Sequence, residues 1–131
     1  MQKYKRYKSS YLCSTYVFKD SINRVYEVIR RPEHLEKTFE KYNFKIKSLR
    51  KESDLFDDIG ASFRITLNKV LSYEIIIIES KNEDNYKMIK CKSTKVYPFN
   101  FNYIMKHSLY WCNITKQTVL FEEISFIYPE W

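Results

Sequence analysis

The sequence predicts an α+β fold in which two short helices follow the first strand and six further strands complete an antiparallel sheet of about seven strands. Apolar residues recur at helical spacing only between Ile22 and Tyr42, whereas from Phe44 onward they alternate with period two. Short polar turns separate the alternating segments, as in a meander of neighbouring strands. The longest alternation runs from Phe99 to Trp111 and predicts one long strand with an aromatic face.

The chain is predicted to open with a strand and a helix. Residues 1–10 are basic and polar, and we expect them to form a mobile lead-in to one domain that spans residues 11–131. The first predicted strand covers residues 11–19. Asp20 or Ser21 then supplies the N-cap oxygen of the first helix. The apolar face of this helix carries Ile22, Val25, Tyr26 and Ile29.

A second short helix begins at Pro32, because proline stops the first helix and its fixed φ suits a first helical turn. Leu35, Phe39 and Tyr42 continue at helical spacing. The remaining predicted strands cover residues 44–49, 61–67, 71–77, 86–92, 99–111 and 118–128.

Two connections between the predicted strands have distinctive residues. An acidic loop at 53–59 precedes Gly60, the only glycine, where we expect a backbone conformation that other residues resist. Thr115 and Lys116 are predicted to turn the last hairpin as a two-residue loop.

Length and composition indicate one intracellular domain. The chain has 131 residues and is 44% hydrophobic and 18% aromatic, which is enough for a real core. No stretch approaches the roughly 20 apolar residues of a transmembrane helix. Residues 11–18 are too short and polar for a signal peptide, so we expect a cytoplasmic protein. Cys13, Cys91 and Cys112 form no CxxC pair and are predicted to be reduced core thiols.

The charge pattern argues against a dedicated nucleic-acid surface. The net charge is +7, but the basic residues are spread along the chain, so we expect no nucleic-acid partner. Contact between the basic, tyrosine-containing segment at 3–8 and an anionic membrane stays open. His34, His107 and the cysteines lack metal-ligand spacing, and a single glycine argues against a phosphate loop. We therefore expect no metal and no cofactor.

The order and spacing of these elements resemble the START-like superfamily, also called the polyketide cyclase or birch-pollen-allergen superfamily. The resemblance rests on residues 14–39, which include DSINRVYEVIRRPEHL at 20–35, and on DIGASFR at 58–64. It implies a helix-grip fold, in which a seven-stranded curved sheet wraps a long C-terminal helix around a hydrophobic-ligand cavity. The sequence ends at Trp131, where the helix of the family begins. We therefore expect a helix-grip-like domain with its C-terminal helix missing and its concave face open.

The aromatic face of the long strand is the predicted ligand wall, and we expect a hydrophobic small molecule or lipid to bind it. The predicted wall residues are Phe63, Ile65, Tyr73, Ile75, Phe101, Tyr103, Met105, His107, Leu109, Trp111, Leu120, Glu122 and Phe126. The alternative is an interaction module, whose open apolar face is covered by a partner protein or by a second copy in a homodimer.

His107 is the one titratable group on the aromatic face of the long strand. The two-residue loop places His107 opposite Ile124 and Leu109 opposite Glu122, so His107 and Glu122 are predicted to be diagonal neighbours. Such a pair serves as a structural contact, as a contact for a ligand hydroxyl, or as the base and orienter of a cyclase- or hydratase-type enzyme. Structural contacts are the commonest of these roles and catalysis is the rarest.

Overall fold

The computed structural model describes residues 7–97 and 102–129, which form a curved antiparallel sheet with two helices after the first strand. The strands and helices are β1 (Tyr7–Phe18), α1 (Ile22–Ile29), α2 (Pro32–Thr38), β2 (Phe44–Ser48), β3 (Ser62–Leu67), β4 (Leu71–Asn82), β5 (Tyr86–Tyr97), β6 (Asn102–Cys112) and β7 (Gln117–Pro129). The seven strands lie in the order β1-β7-β6-β5-β4-β3-β2. The α+β prediction, with its seven strands and two helices, is confirmed.

Helix α1 is fixed at both ends by contacts that the sequence encodes locally. Ser21 is the N-cap residue, and its hydroxyl accepts a hydrogen bond from the backbone N–H of Arg24 at 3.3 Å. The carbonyl of Asp20 accepts a hydrogen bond from the Thr118 hydroxyl at 2.7 Å, which ties the start of the helix to β7. Ile22, Val25 and Tyr26 are buried, so α1 packs its predicted apolar face against the sheet.

The acidic loop between β2 and β3 is held against α1 by a partly buried ion pair. Arg30 Nε donates to Asp57 Oδ2 at 2.9 Å, and the Tyr26 hydroxyl donates to the same oxygen at 2.8 Å. Gly60 closes the loop with a φ of 89°, which confirms the predicted need for glycine. Phe56, within the loop, packs against Phe63 of β3 with ring centroids 4.9 Å apart. The loop and α1 therefore close one end of the concave face.

Several predicted boundaries are wrong. Strand β1 begins at Tyr7, so the end of the predicted lead-in is strand that pairs with the last residues of β7. Strand β4 continues to Asn82 because a register irregularity between Ile77 and Glu79 lets the polar residues beyond it pair with β5. The predicted start of the long strand, including Phe99 and Phe101, and most of the basic segment at 3–8 lie outside the described residues.

The predicted two-residue turn between β6 and β7 is also wrong. The loop covers residues 113–116, with Lys116 at a φ of 57°, and the first pair below it is Cys112 opposite Gln117. This loop shifts the hairpin register by two residues from the predicted one. Because side chains alternate with period two, the shift leaves every residue on its predicted face. It places His107 directly opposite Glu122, rather than diagonal to it.

The cysteines are free thiols in different environments, which corrects the prediction of three core thiols. Cys91 is buried on β5, whereas Cys13 is exposed because β1 is an edge strand. Cys112 is half-buried at the end of β6. None of the helices in the described part of the chain is long and apolar enough to cross a membrane.

Candidate functional site

The strand registers bring the described members of the predicted wall onto one face of the sheet. On β3 and β4, Phe63 lies opposite Ile75 and Ile65 lies opposite Tyr73. On β6 and β7 the directly opposed pairs are Tyr103 with Phe126, Met105 with Ile124, His107 with Glu122, and Leu109 with Leu120. Trp111 lies one alternation beyond Leu109 on the same face. Phe101 lies outside the described residues.

The closed end of this face is ordinary protein core. Phe63, Ile65, Ile75, Leu109 and Leu120 are all buried, and they belong to the cluster that includes the apolar residues of α1. A ligand reaches these side chains only if α1 or the acidic loop moves. We therefore assign these five predicted wall residues to the packing of the fold.

The rest of the face is open, and we call it the open side. Tyr73, Met105, His107, Glu122 and Phe126 are half-buried there, and Tyr103 is buried by its aromatic neighbours. Trp111 is also half-buried, but it lies beyond the buried Leu109 and Leu120. Strand β1 adds Leu12, Tyr16 and Phe18, which are 56%, 46% and 37% exposed. The register of β1 with β7 places these three side chains on the concave face. No helix in the described part of the chain covers them.

The sequence reasoning missed the contribution of β1 to the open side. Leu12 and Tyr16 lie opposite Ile124 and Leu120, a relation that depends on the pairing of the first strand with the last. Only the folded topology reveals that pairing. Ile124 itself was also left out of the predicted wall, although period-two alternation between Glu122 and Phe126 was a sufficient signal.

A hydrogen-bonded pair of titratable side chains lies in the middle of the open side. His107 Nε2 and Glu122 Oε2 are 2.9 Å apart, and the imidazole N–H donates to the carboxylate. The two side chains are 21% and 29% exposed. The hydrogen bond from His107 lowers the pKa of Glu122 below its usual value, so the carboxylate is ionised at neutral pH.

The pair extends into a polar row across three strands. Ser14 on β1 lies opposite Glu122 on β7, which lies opposite His107 on β6. We call Ser14, Glu122 and His107 the polar row. Apolar rows flank it on both sides. One contains Leu12, Ile124 and Met105, and the other contains Tyr16, Leu120 and Leu109.

Beyond the polar row, the open side continues into an aromatic cluster. The Tyr103 ring stacks on Phe126 with centroids 5.9 Å apart, and it meets Tyr73 edge-on at 5.7 Å. Burial raises the pKa of both Tyr73 and Tyr103, and it raises that of the neighbouring Cys91 thiol to about 11. These groups are therefore neutral at physiological pH and form an apolar surface.

Two hollows in the described part of the chain lie at the other end of the sheet. A hollow of about 490 Å³ lies between α2, β2 and the acidic loop, and Phe63 is the one predicted wall residue that lines it. Three of the acidic groups that line it have partners: Glu36 accepts the N–H of Ile46, Asp54 pairs with Arg50, and Glu33 pairs with Arg31. The smaller hollow, of about 270 Å³, lies between α2 and the start of β2. Among the described residues no cluster of three His, Cys, Asp or Glu side chains could hold a metal ion.

Comparison with known proteins supports the fold. No family model and no curated protein matches the chain. The crystal structure of hypothetical protein jhp0584 from Helicobacter pylori has a TM-score of 0.73 at 11% identity, over 89% of this chain and 69% of that chain. The ginseng major latex-like protein 151 from Panax ginseng has a TM-score of 0.63 at 12% identity, over 90% of this chain and 78% of that chain.

A third solved structure gives the same result. The Mll3558 protein from Rhizobium loti has a TM-score of 0.63 at 8% identity, over 94% of this chain and 82% of that chain. At these identities the likeness shows the fold alone. The likeness to the ginseng protein supports the helix-grip type of α+β fold that the sequence resemblance implies.

Proposed function

We propose that the protein binds a hydrophobic small molecule or lipid on the open side of the concave face, with the polar head of the ligand on the polar row. One observation carries the proposal. The His107–Glu122 pair is partly exposed to solvent and lies beside the apolar row of Leu12, Ile124 and Met105, whose side chains are half-buried or exposed. A ligand with an apolar body and one polar group matches this alternation of rows.

The chemistry of the row favours a neutral hydroxyl head. A hydroxyl donates to the ionised Glu122 carboxylate and accepts from the Ser14 hydroxyl. A carboxylate head would place a second negative charge beside Glu122, which is unfavourable on a partly buried apolar wall. The tail would contact Met105, Ile124 and Phe126, which lie on one side of the polar row, and each Å² of apolar surface removed from water contributes about 25 cal/mol.

Calorimetric titration with 1-dodecanol and with dodecanoate tests the proposal, because the two probes share one tail and differ in the head. We expect tighter binding of dodecanol. His107→Ala should weaken dodecanol binding by about 1–2 kcal/mol, because it removes the hydrogen bond that holds the Glu122 carboxylate in place to accept from the ligand hydroxyl. Met105→Ala should weaken both probes alike, because it removes contact area.

Ile114→Ala is the matched control, since Ile114 is an exposed apolar residue in the β6–β7 loop and lies away from the wall. It should change neither affinity. Equal losses from His107→Ala and Met105→Ala with both probes would mean that His107 only packs. If neither dodecanol nor dodecanoate binds, the proposed function is overturned.

The second candidate, an interaction module, is favoured by the three exposed apolar side chains that β1 adds to the open side. The third, a cyclase- or hydratase-type enzyme, has its polar pair in His107 and Glu122. However, both side chains are partly exposed and no described helix shields them from water. Ligand binding needs no such shield, so the geometry suits binding better than catalysis.

A further inference from the structure

Strand β1 is an edge strand without the usual protection against pairing. It lies at the end of the sheet, and among the described residues only β7 pairs with it. Edge strands are commonly blocked by charged residues, proline or bulges. The stretch from Ser9 to Phe18 contains no charged residue and no proline, and its register with β7 is continuous. Its outer edge is therefore open to another strand.

Exposed apolar side chains on β1 occur on both faces of the sheet. Leu12, Tyr16 and Phe18 lie on the concave face, whereas Tyr11 and Val17 lie on the convex face and are 59% and 56% exposed. A helix or a ligand on the concave face would leave Tyr11 and Val17 uncovered. A strand paired with β1 places its own side chains beside those of β1 on both faces of the sheet. The exposure of apolar side chains on both faces of β1 therefore favours a strand as the partner.

We propose that this strand is β1 of a second copy, paired antiparallel with the first across a two-fold axis at Ser14. When the axis is perpendicular to the sheet, the concave faces of both copies lie on the same side of the joined sheet. Because side chains alternate between faces, two residues that lie opposite each other must then both be even-numbered or both be odd-numbered. With Ser14 opposite its own counterpart, Leu12 lies opposite Tyr16 of the second copy and Tyr11 lies opposite Val17. Large apolar side chains then meet on both faces, which is the stabilising cross-strand arrangement.

Neighbouring registers lose this match. An axis at Cys13 places Leu12 opposite Ser14 and Tyr16 opposite Ser10. An axis at Thr15 places Leu12 opposite Phe18, but it places Tyr16 opposite Ser14 and Val17 opposite Cys13, so the match on the convex face is lost. With the axis at Ser14 the strand is thus complementary to itself in the polarity of both faces.

The pairing joins the two candidate sites. Ser14 ends the polar row of each copy, and in the dimer the two Ser14 residues are adjacent. One polar row then runs from His107 through Glu122 and Ser14 into the second copy, with apolar rows continuous on either side. The inference depends on β1 alone, so it stands or falls independently of ligand binding.

Sedimentation tests the assembly. We expect the full chain to be a dimer at tens of micromolar, and Val17→Lys to be a monomer because it places a charge in the seam. Val17 lies on the convex face, so the change leaves the concave wall intact. The matched control Ile114→Lys, at an exposed apolar site outside β1, should remain a dimer. A wild-type monomer, or a folded Val17→Lys dimer, would overturn the proposal.

Disulfide trapping tests the register. In a Cys13→Ser background, Ser14→Cys should cross-link nearly completely on mild oxidation, because facing Cβ atoms on paired strands lie about 4.5–5.5 Å apart. Ser9→Cys should not cross-link, since the two cysteines would lie roughly 34 Å apart along the strands. Efficient cross-linking through the native Cys13, which an axis at Cys13 predicts, would overturn the proposed register. Failure of Ser14→Cys to cross-link within a dimer would overturn the interface.

Discussion

At the scale of single residues, the His107–Glu122 hydrogen bond makes stability depend on pH in a definite direction. The pKa of folded Glu122 lies below its usual value. The stabilisation is therefore fully present above the unfolded pKa of about 4.3, and it is lost as the pH falls through the lower folded pKa. At neutral pH the pair is expected to contribute about 1 kcal/mol.

Thermal unfolding of the wild type and of Glu122→Gln between pH 3 and pH 7 measures this contribution. The wild type should have the higher melting temperature at neutral pH, and the difference should narrow below about pH 4.3 as the carboxylate is protonated. The substitution keeps the size of the side chain, so packing is matched. A difference that stays constant down to pH 3 would show that the ionised pair does not stabilise the fold.

The free cysteines should differ in reactivity with a thiol reagent such as DTNB. Cys91 is buried and its pKa is raised to about 11, so it should react only when the protein unfolds. Cys13 is exposed, and hydrogen bonds from Thr115 lower the pKa of Cys112, so both should react within minutes at pH 8. Rapid labelling of three thiols in the folded protein would contradict the described packing.

At the scale of elements, the structure decides between the two residues, Asp20 and Ser21, that the sequence offers as the N-cap of α1. Ser21→Ala should destabilise the protein by about 1 kcal/mol, because it removes the hydroxyl that accepts the N–H of Arg24. Asp20→Ala should cost only about 0.3 kcal/mol, because its exposed carboxylate makes a 3.4 Å ion pair with Arg24. Urea denaturation of both variants measures the two costs. An equal or larger loss for Asp20→Ala would contradict the assignment of the cap to Ser21.

The elements themselves were predictable because each follows from a local pattern. The change from helical spacing to period two at Phe44 places the helices before most of the sheet, and the predicted positive φ at Gly60 is observed. Strand ends were not predictable in the same way. Polar residues such as Asn82 extend a strand when a partner strand supplies hydrogen bonds, and that partner is distant in sequence or set by a bulge.

The sequence predicted which face of the sheet the site residues share, but it did not predict which of them lie directly opposite each other. The observed loop at 113–116 shifts the register of β6 and β7 by two residues from the one that a turn at 115–116 predicts. Because side chains alternate with period two, His107 and Glu122 share one face in both registers. Their direct opposition depends on the loop at 113–116, whose length the sequence did not specify. The place of Ser14 in the polar row depends on the pairing of β1 with β7, a contact between the two ends of the chain.

At the scale of the whole molecule, the +7 charge should give only weak binding to nucleic acid, because non-specific phosphate contacts are screened by salt. Fluorescence anisotropy with a labelled 20-nucleotide single strand should give a Kd above about 1 μM at physiological salt. The affinity should fall further as salt is added. A tight complex that survives 200 mM salt and is lost when the lysines at positions 3, 5 and 8 are changed to glutamine would identify a dedicated basic site.

Photolabelling with a diazirine-bearing dodecanol tests most directly the claim that the open side of the concave face binds an apolar ligand. After irradiation, fragmentation mass spectrometry locates the adducts residue by residue. We predict adducts at Met105, Ile124 and Leu12, which form the apolar row beside the polar row, and suppression of these adducts by unlabelled dodecanol. Tyr110 and Ile104 are exposed on the convex face of the same strand and serve as internal controls. Adducts on Tyr110 and Ile104 as abundant as those on Met105 and Ile124 would contradict the account.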